Sequence, residues 1–209
     1  MPLKDCLLNP IDEIQTAAHL LQSAVAFHIN SKTDLAASCI KEADMPAITD
    51  WTEALWGGFN PNIHHLREIP NTPPLLPKDQ RIKMRMPSKD EKRLIIQRDG
   101  YNCRFCKIPV ISPDIRKAMH KLYPDSARWG PKNADQHAAF QAMWLQFDHV
   151  LPHSRGGTND LENIVITCAP CNFSRMQWTL EELGLKDPRK DKAFRKTTWD
   201  GLERFRQVM

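Results

Sequence analysis

The chain has 209 residues and a formal net charge of +4, with 41% hydrophobic and 26% charged residues. That is enough chain for one or two modest domains with cores of their own, and no stretch approaches the ~20 apolar residues of a membrane-spanning helix. The opening MPLKDCLLNPIDEIQ brings in acidic residues too early for a secretory signal, so a cytoplasmic protein with no membrane partner is expected.

Charge divides the chain. Residues 1–77 hold four Lys or Arg against nine Asp or Glu, and residues 78–209 hold twenty-five against sixteen. An acidic part joined to a basic one implies that only the second meets a polyanion.

Residues 1–69 read as a small helical region. Asn9 is placed to cap a helix with Pro10 at its first position, and Ile11, Ile14, Ala18, Leu21 and Val25 recur at the spacing of one buried face. Two more helices are expected, over residues 34–43 and over residues 47–56, the second stopped by Gly57-Gly58. His19, His28, His64 and His65 lack partner cysteines or a carboxylate pattern and read as structural. Cys6 and Cys39 read as small buried hydrophobes.

Residues 70–87 contain five prolines and no periodicity, the composition of a semi-extended linker. Ser88-x-x-Glu91 is a capping box that opens a short basic helix ending near Arg98. The first of two Cys-x-x-Cys units follows, Cys103/Cys106; the second is Cys168/Cys171. In a cytoplasmic protein such paired units read as metal knuckles, and four thiolates make a closed tetrahedral zinc site with no open position for chemistry.

Between the knuckles, residues 108–144 look inserted, with helix signals at Ser112-Pro113 and at Asn133, the latter helix carrying Phe140, Met143 and Trp144. Two short strands are expected, over residues 145–150 and 164–167, with a turn at Gly156-Gly157. Pro170 then opens a helix carrying Asn172 and Arg175, Thr179-x-x-Glu182 opens another, and a basic tail, 186–209, ends in a last short helix.

With the cysteines assigned to zinc, Asp148, His149 and Asn172 remain. Cys171 and Asn172 are successive residues at a helix start, so their side chains diverge by about 100° and face different pockets. Asp offers a charged oxygen ligand and Asn a neutral one, a sparse pair suited to magnesium. His149 can accept a proton from water near neutrality. Strand alternation would send Asp148 and His149 to opposite faces, so a shared site requires a strand end or a distortion there.

The strings RDGYNCRFC, DHVLPHSRGG, LENIVITC and CAPCNFSR, in this order, resemble the HNH endonuclease family, and more narrowly its branch with two Cys-x-x-Cys knuckles around a zinc. The resemblance covers roughly residues 88–185. It implies an α+β, mostly helical protein: a ββα-metal nuclease core with structural Zn2+ at Cys103, Cys106, Cys168 and Cys171, preceded by the helical N-terminal region. It further implies His149 as general base, Asp148 and Asn172 as ligands of a catalytic Mg2+ or Mn2+, Asn163 as the residue that braces the loop and orients the histidine, and Arg175 near the substrate phosphates. Arg98, Arg104, His153 and Arg155 are expected to touch nucleic acid. The implied activity is metal-dependent hydrolysis of DNA, in the setting of a bacterial anti-phage or restriction effector. A non-catalytic zinc-stapled binding module and an RNA-cleaving toxin-like nuclease are the alternatives. Residues 1–69 are expected to form a separate regulatory or partner-binding module, so that a chain beginning near Met86 keeps zinc, cleavage and most DNA affinity.

Overall fold

The computed structural model describes residues 2–56, 58–194 and 198–208. Three helices come first: α1 (Asp12–Ile29), α2 (Thr33–Glu42) and α3 (Pro46–Leu55). The face of α1 formed by Ile14, Ala18, Leu21 and Val25 is buried, as its spacing predicts. Asn9 does not cap it. The helix starts after an extended Ile11 with no side-chain cap, and the Asn9 carbonyl instead accepts from Trp51 Nε1 at 2.8 Å. Gly57, expected to stop α3, lies outside the described residues; Gly58 sits at φ +118°, beyond the reach of most side chains.

The basic helix α4 (Lys89–Asp99) carries the predicted capping box in full, Ser88 and Glu91 each bonding the other's backbone N–H. Next comes α5 (Pro113–Leu122), capped by Ser112. The helix expected from Asn133 begins later: α6 (Ala138–Ala142) is capped by His137, and Asn133 opens only a 3-10 turn. The antiparallel strands β1 (Leu145–His149) and β2 (Ile164–Cys168) pair Leu145 with Cys168 and His149 with Ile164. Helix α7 (Ala169–Arg175) follows directly, then α8 (Leu180–Leu183) with its Thr179/Glu182 capping box. The expected final helix is a 3-10 segment over Glu203–Val208. No helix among the described residues is long and apolar enough to cross a membrane.

The two strands and α7 make a ββα unit, and β1–β2 with mostly helical surroundings is the α+β class predicted. A single carboxylate locks this unit to α4. Asp99, fully buried at the end of α4, accepts from Arg98 Nε and Nη2 (both 2.8 Å), Arg104 Nη1 (2.7 Å) and the Ile166 backbone N–H (3.0 Å). The helix end, the first knuckle and the middle of β2 therefore meet at one side chain.

The N-terminal helices do not stand apart from this core. α3 packs on α6 and α7, and α1 on α6 and the Glu203–Val208 segment. The buried apolar residues of the N-terminal helices and of the rest of the chain form one cluster among the described residues. The inserted residues 108–144 make the joint. His137 Nε2 meets the Ile40 carbonyl at 2.8 Å, Asp44 pairs with Arg128 and caps the Ala138 N–H at 2.7 Å, and His28 Nδ1 meets the Tyr123 hydroxyl at 2.6 Å. The expected separate module is thus corrected: the apolar faces of α1–α3 need cover, and the insertion with α7 supplies it. His28 and His64 are structural as expected, His64 Nε2 donating to the Ser174 carbonyl at 2.7 Å.

Residues 70–87 are no free linker either. Pro73 O accepts from Arg155, Leu76 N donates to Ser154 O at 2.8 Å, Ile82 O accepts from His153 Nε2 at 2.8 Å, and Met84 O accepts from Asn159 Nδ2 at 2.6 Å. The prolines prevent regular pairing, so this segment's carbonyls stay open to side chains from the loop after β1. It lies across that loop as a strap.

Candidate active site

The four knuckle cysteines converge. Their sulfurs all lie within 4.8 Å of one another, and Cys106 Sγ is 3.6 Å from Cys168 Sγ. Zinc bound tetrahedrally at about 2.3 Å from each sulfur sets neighbouring sulfurs ~3.8 Å apart, so the buried cluster fits that ion. Burial alone would raise the Cys103 thiol, but hydrogen bonds from Cys106, Cys168 and Cys171 bring it well below its usual range.

Zinc would sit behind the site, not in it. Cys171 faces the cluster, and the next residue, Asn172, lines a cleft of about 680 Å³ on the other side of α7, as the divergence of successive helical side chains requires. Asp148 and His149 line the same cleft. His149 is the last residue of β1, where alternation no longer holds it to one face.

The state of His149 follows from its neighbours. Met84 O can only accept, so the amide group of Asn159 that faces it is Nδ2, which turns Oδ1 toward His149 Nε2 at 2.9 Å. Oδ1 also only accepts, so Nε2 carries the ring proton and Nδ1 is left with its lone pair. Burial lowers the His149 pKa below its ordinary 6.5, the bond to Asn159 opposing the shift. The ring is neutral at pH 7 with one basic nitrogen.

The Asn163 side chain ties the loop together and makes no hydrogen bond to His149 among the described residues. Its Oδ1 accepts from Leu151 N at 2.9 Å, and its Nδ2 donates to Leu151 O at 3.2 Å and Thr158 O at 2.9 Å. The loop is drawn so tight that a Cβ on Gly157 would lie 1.8 Å from Leu151 O and 2.9 Å from Asn163 Nδ2. The residue in contact with the histidine is Asn159, which the sequence reading passed over; an Asn in a Thr-Asn-Asp turn gives no local sign of a partner 75 residues upstream.

Asp148 is buried and its Oδ2 makes no hydrogen bond. Arg175 Nε stands 3.2 Å from that oxygen, an ion pair by distance, yet Nε and Nη1 complete no hydrogen bond, while Nη2 donates to the His149 carbonyl at 2.7 Å. Burial pushes Asp148 up to about 6, against the pull of the Arg175 cation. Asp148 and Asn172 line the same cleft, and a carboxylate with an amide oxygen is a donor set that suits a divalent cation. Arg175 lies beneath this carboxylate with its side chain 3% exposed, and it lines the cleft from below.

His153, expected to touch nucleic acid, lines the cleft and is bonded to Ile82 O. The three arginines expected beside nucleic acid are elsewhere. Arg98 and Arg104 hold Asp99, with further bonds to the carbonyls of Leu161 and Ile164 and of Pro188 and Asp191. Arg155 is buried among Gln177 O, Pro73 O and Glu182 Oε1. Guanidinium groups bring several donors in a fixed fork, and here backbone carbonyls take them. Besides Arg175, the cleft is lined by cations of the strap: Lys78, Arg81, Lys83 and Arg85.

A ββα unit with Asp-His at the end of its first strand, backed by four convergent thiolates, is the architecture of a zinc-stapled HNH core. Residues 137–184 match the family described as HNH endonuclease. No curated protein and no solved structure matches the chain. The match covers α6, β1, β2, α7 and α8 and supports a nuclease at the level of that family.

Proposed function

We propose that the chain is a divalent-metal-dependent endonuclease that hydrolyses DNA phosphodiester bonds. The observation that carries this reading is the His149–Asn159–Met84 relay, which leaves one basic imidazole nitrogen in a cleft walled by cations. Asp148 and Asn172 would hold Mg2+ or Mn2+, which when bound offsets charge on the scissile phosphate and leaving oxygen. His149 Nδ1 accepts the proton of a water molecule as its oxygen attacks phosphorus. Asn159 keeps the ring in the tautomer that allows this, and Asn163 keeps the loop that carries Asn159. Arg175 holds the Asp148 carboxylate through Nε and the His149 carbonyl through Nη2, and its unbonded Nη1 adds positive charge beneath the phosphate. Zn2+ on the four cysteines is structural.

This assignment suits an effector of an anti-phage or restriction system acting in the cytoplasm. A protein partner recruited through residues 1–69 would meet the exposed acidic side of α1–α3, because their apolar faces are covered from within. The test is incubation of the purified full chain with supercoiled plasmid, and separately with RNA, in Mg2+ or in EDTA. Nicking or linearisation in Mg2+ only, lost in His149→Ala while DNA binding persists, is the expected result. A His149→Ala protein that cuts at the parent rate would refute the base, and cleavage of RNA but not DNA would refute the substrate.

A further inference from the structure

Residues 81–86 read Arg-Ile-Lys-Met-Arg-Met, a cation and an apolar side chain in strict alternation. The strap is fastened to the catalytic loop through its apolar positions, at the carbonyls of Ile82 and Met84. Its cations line the cleft together with Ile82, Met86 and Asp79. Lys78, Arg81, Lys83 and Arg85 all line it, on the same cleft as Asp148 and His149. Arg81 Nε is held by the Leu76 carbonyl at 2.9 Å. Lys78, Lys83 and Arg85 are exposed and make no hydrogen bond or ion pair among the described residues. Four cations and a single acid, Asp79, along nine residues leave this wall strongly positive.

We propose that the strap is the rail that holds the substrate backbone: Lys78, Lys83 and Arg85 contact phosphates flanking the bond cut at His149, with Arg81 anchoring the wall. This rests on the endonuclease reading above. From Arg81 to Arg85 the chain is neither helix nor paired strand and advances at most ~3.3–3.6 Å per residue, so Arg81, Lys83 and Arg85 follow one another at up to ~7 Å, with Lys78 just upstream at the start of a 3-10 turn (Lys78–Gln80). That interval matches the step between consecutive phosphates of one strand, and it lets successive cations serve successive phosphates. Because the same strap fixes Asn159 and His153, the rail and the base share one mount, and the backbone is held at a set distance from Nδ1. Phosphate contacts of this kind give affinity and register without sequence reading. The segment lies outside the matched residues 137–184, so the substrate surface of this chain is supplied by its own upstream sequence.

The experiment measures duplex DNA binding by the full chain in a His149→Ala background, which binds without cutting, across a salt series. Each phosphate contact contributes about 0.9 to the slope of log K against log salt. The triple variant Lys78→Ala/Lys83→Ala/Arg85→Ala should lose about 2.7 of that slope, and the charge-preserving Lys78→Arg/Lys83→Arg/Arg85→Lys should keep it. Lys117→Ala/Lys121→Ala, on α5 away from the cleft, should leave the slope unchanged. If the triple alanine variant keeps the parent slope while unsubstituted protein cuts plasmid, the rail is refuted and the nuclease reading stands. If the parent neither binds DNA nor, with His149 restored, cuts it, both fall together.

Discussion

Replacing Asp99 by Ala removes the carboxylate on which α4, the first knuckle and β2 converge. The side chain is fully buried and receives four N–H groups from three partners. Arg98 is 39% exposed at its side chain and can turn to water, so its loss costs little. Arg104 is 6% exposed, and two carbonyls remain to it but no counter-charge. Stranding one member of a buried ion pair costs about 3–5 kcal/mol, and the Ile166 N–H, left without an acceptor, adds about 1–3 kcal/mol. Relaxation at the chain surface will recover part of this, so a net loss of about 4 kcal/mol is expected, set against total stabilities of roughly 5–15 kcal/mol. In urea unfolding with m near 2 kcal/mol/M, the midpoint should fall by about 2 M. Asp99→Asn retains volume and one acceptor and should fall between parent and Asp99→Ala. The assay is urea unfolding of zinc-loaded protein, followed by tryptophan fluorescence. A midpoint for Asp99→Ala within about 0.3 M of the parent would show that the hub is not what locks the ββα unit to α4.

Three further outcomes are expected. Protein purified without chelator should contain about one zinc per chain, and Cys168→Ser should lose both the zinc and the fold of the ββα unit; protein that is active without zinc would contradict the staple. Asn159→Leu, which fills the space but offers no acceptor, should lower kcat about 10–100-fold, as loss of an outer-shell partner commonly does, with KM within twofold; a KM effect alone would assign Asn159 to substrate binding. Because burial holds His149 below 6.5, cleavage should be level from pH 7 to 8 and fall only below pH 6.5, as the ring takes up a proton. An acid limb above pH 7 would assign the base elsewhere.

Much of the fold was legible because its signals are local. Both capping boxes formed as written, since Ser88 with Glu91 and Thr179 with Glu182 each close within one turn. The knuckles, the two strands and the divergence of Cys171 from Asn172 follow from spacing in the same way. What failed was settled by distant chain. Asn133 was a fair cap by type, yet His137 took the role while bonding Ile40 O, about a hundred residues earlier. Arg98, Arg104 and Arg155 looked like phosphate ligands because a sequence shows their charge and not the carbonyls that would saturate them. The linker's composition gave no periodicity, and its regular structure is a single 3-10 turn, Lys78–Gln80; composition could not show that its open carbonyls would be claimed by His153 and Asn159.

Lys4 pairs in parallel with Leu185, its N–H donating to Gly184 O and its carbonyl accepting from Lys186 N. This contact binds the stretch just after α8, at the edge of the matched nuclease segment, to residues made some 180 positions earlier. On a ribosome adding about 5–20 residues per second, Lys4 waits on the order of 10–40 s for its partner. During that interval the strap has emerged without the loop it must hold, and Cys103 and Cys106 without Cys168 and Cys171. A nascent chain therefore lacks both the four-thiolate cluster and the strapped loop until those later residues have been made. Assembly of the cluster and the strap waits on residues 159–185, as a property of the order in which the pieces meet.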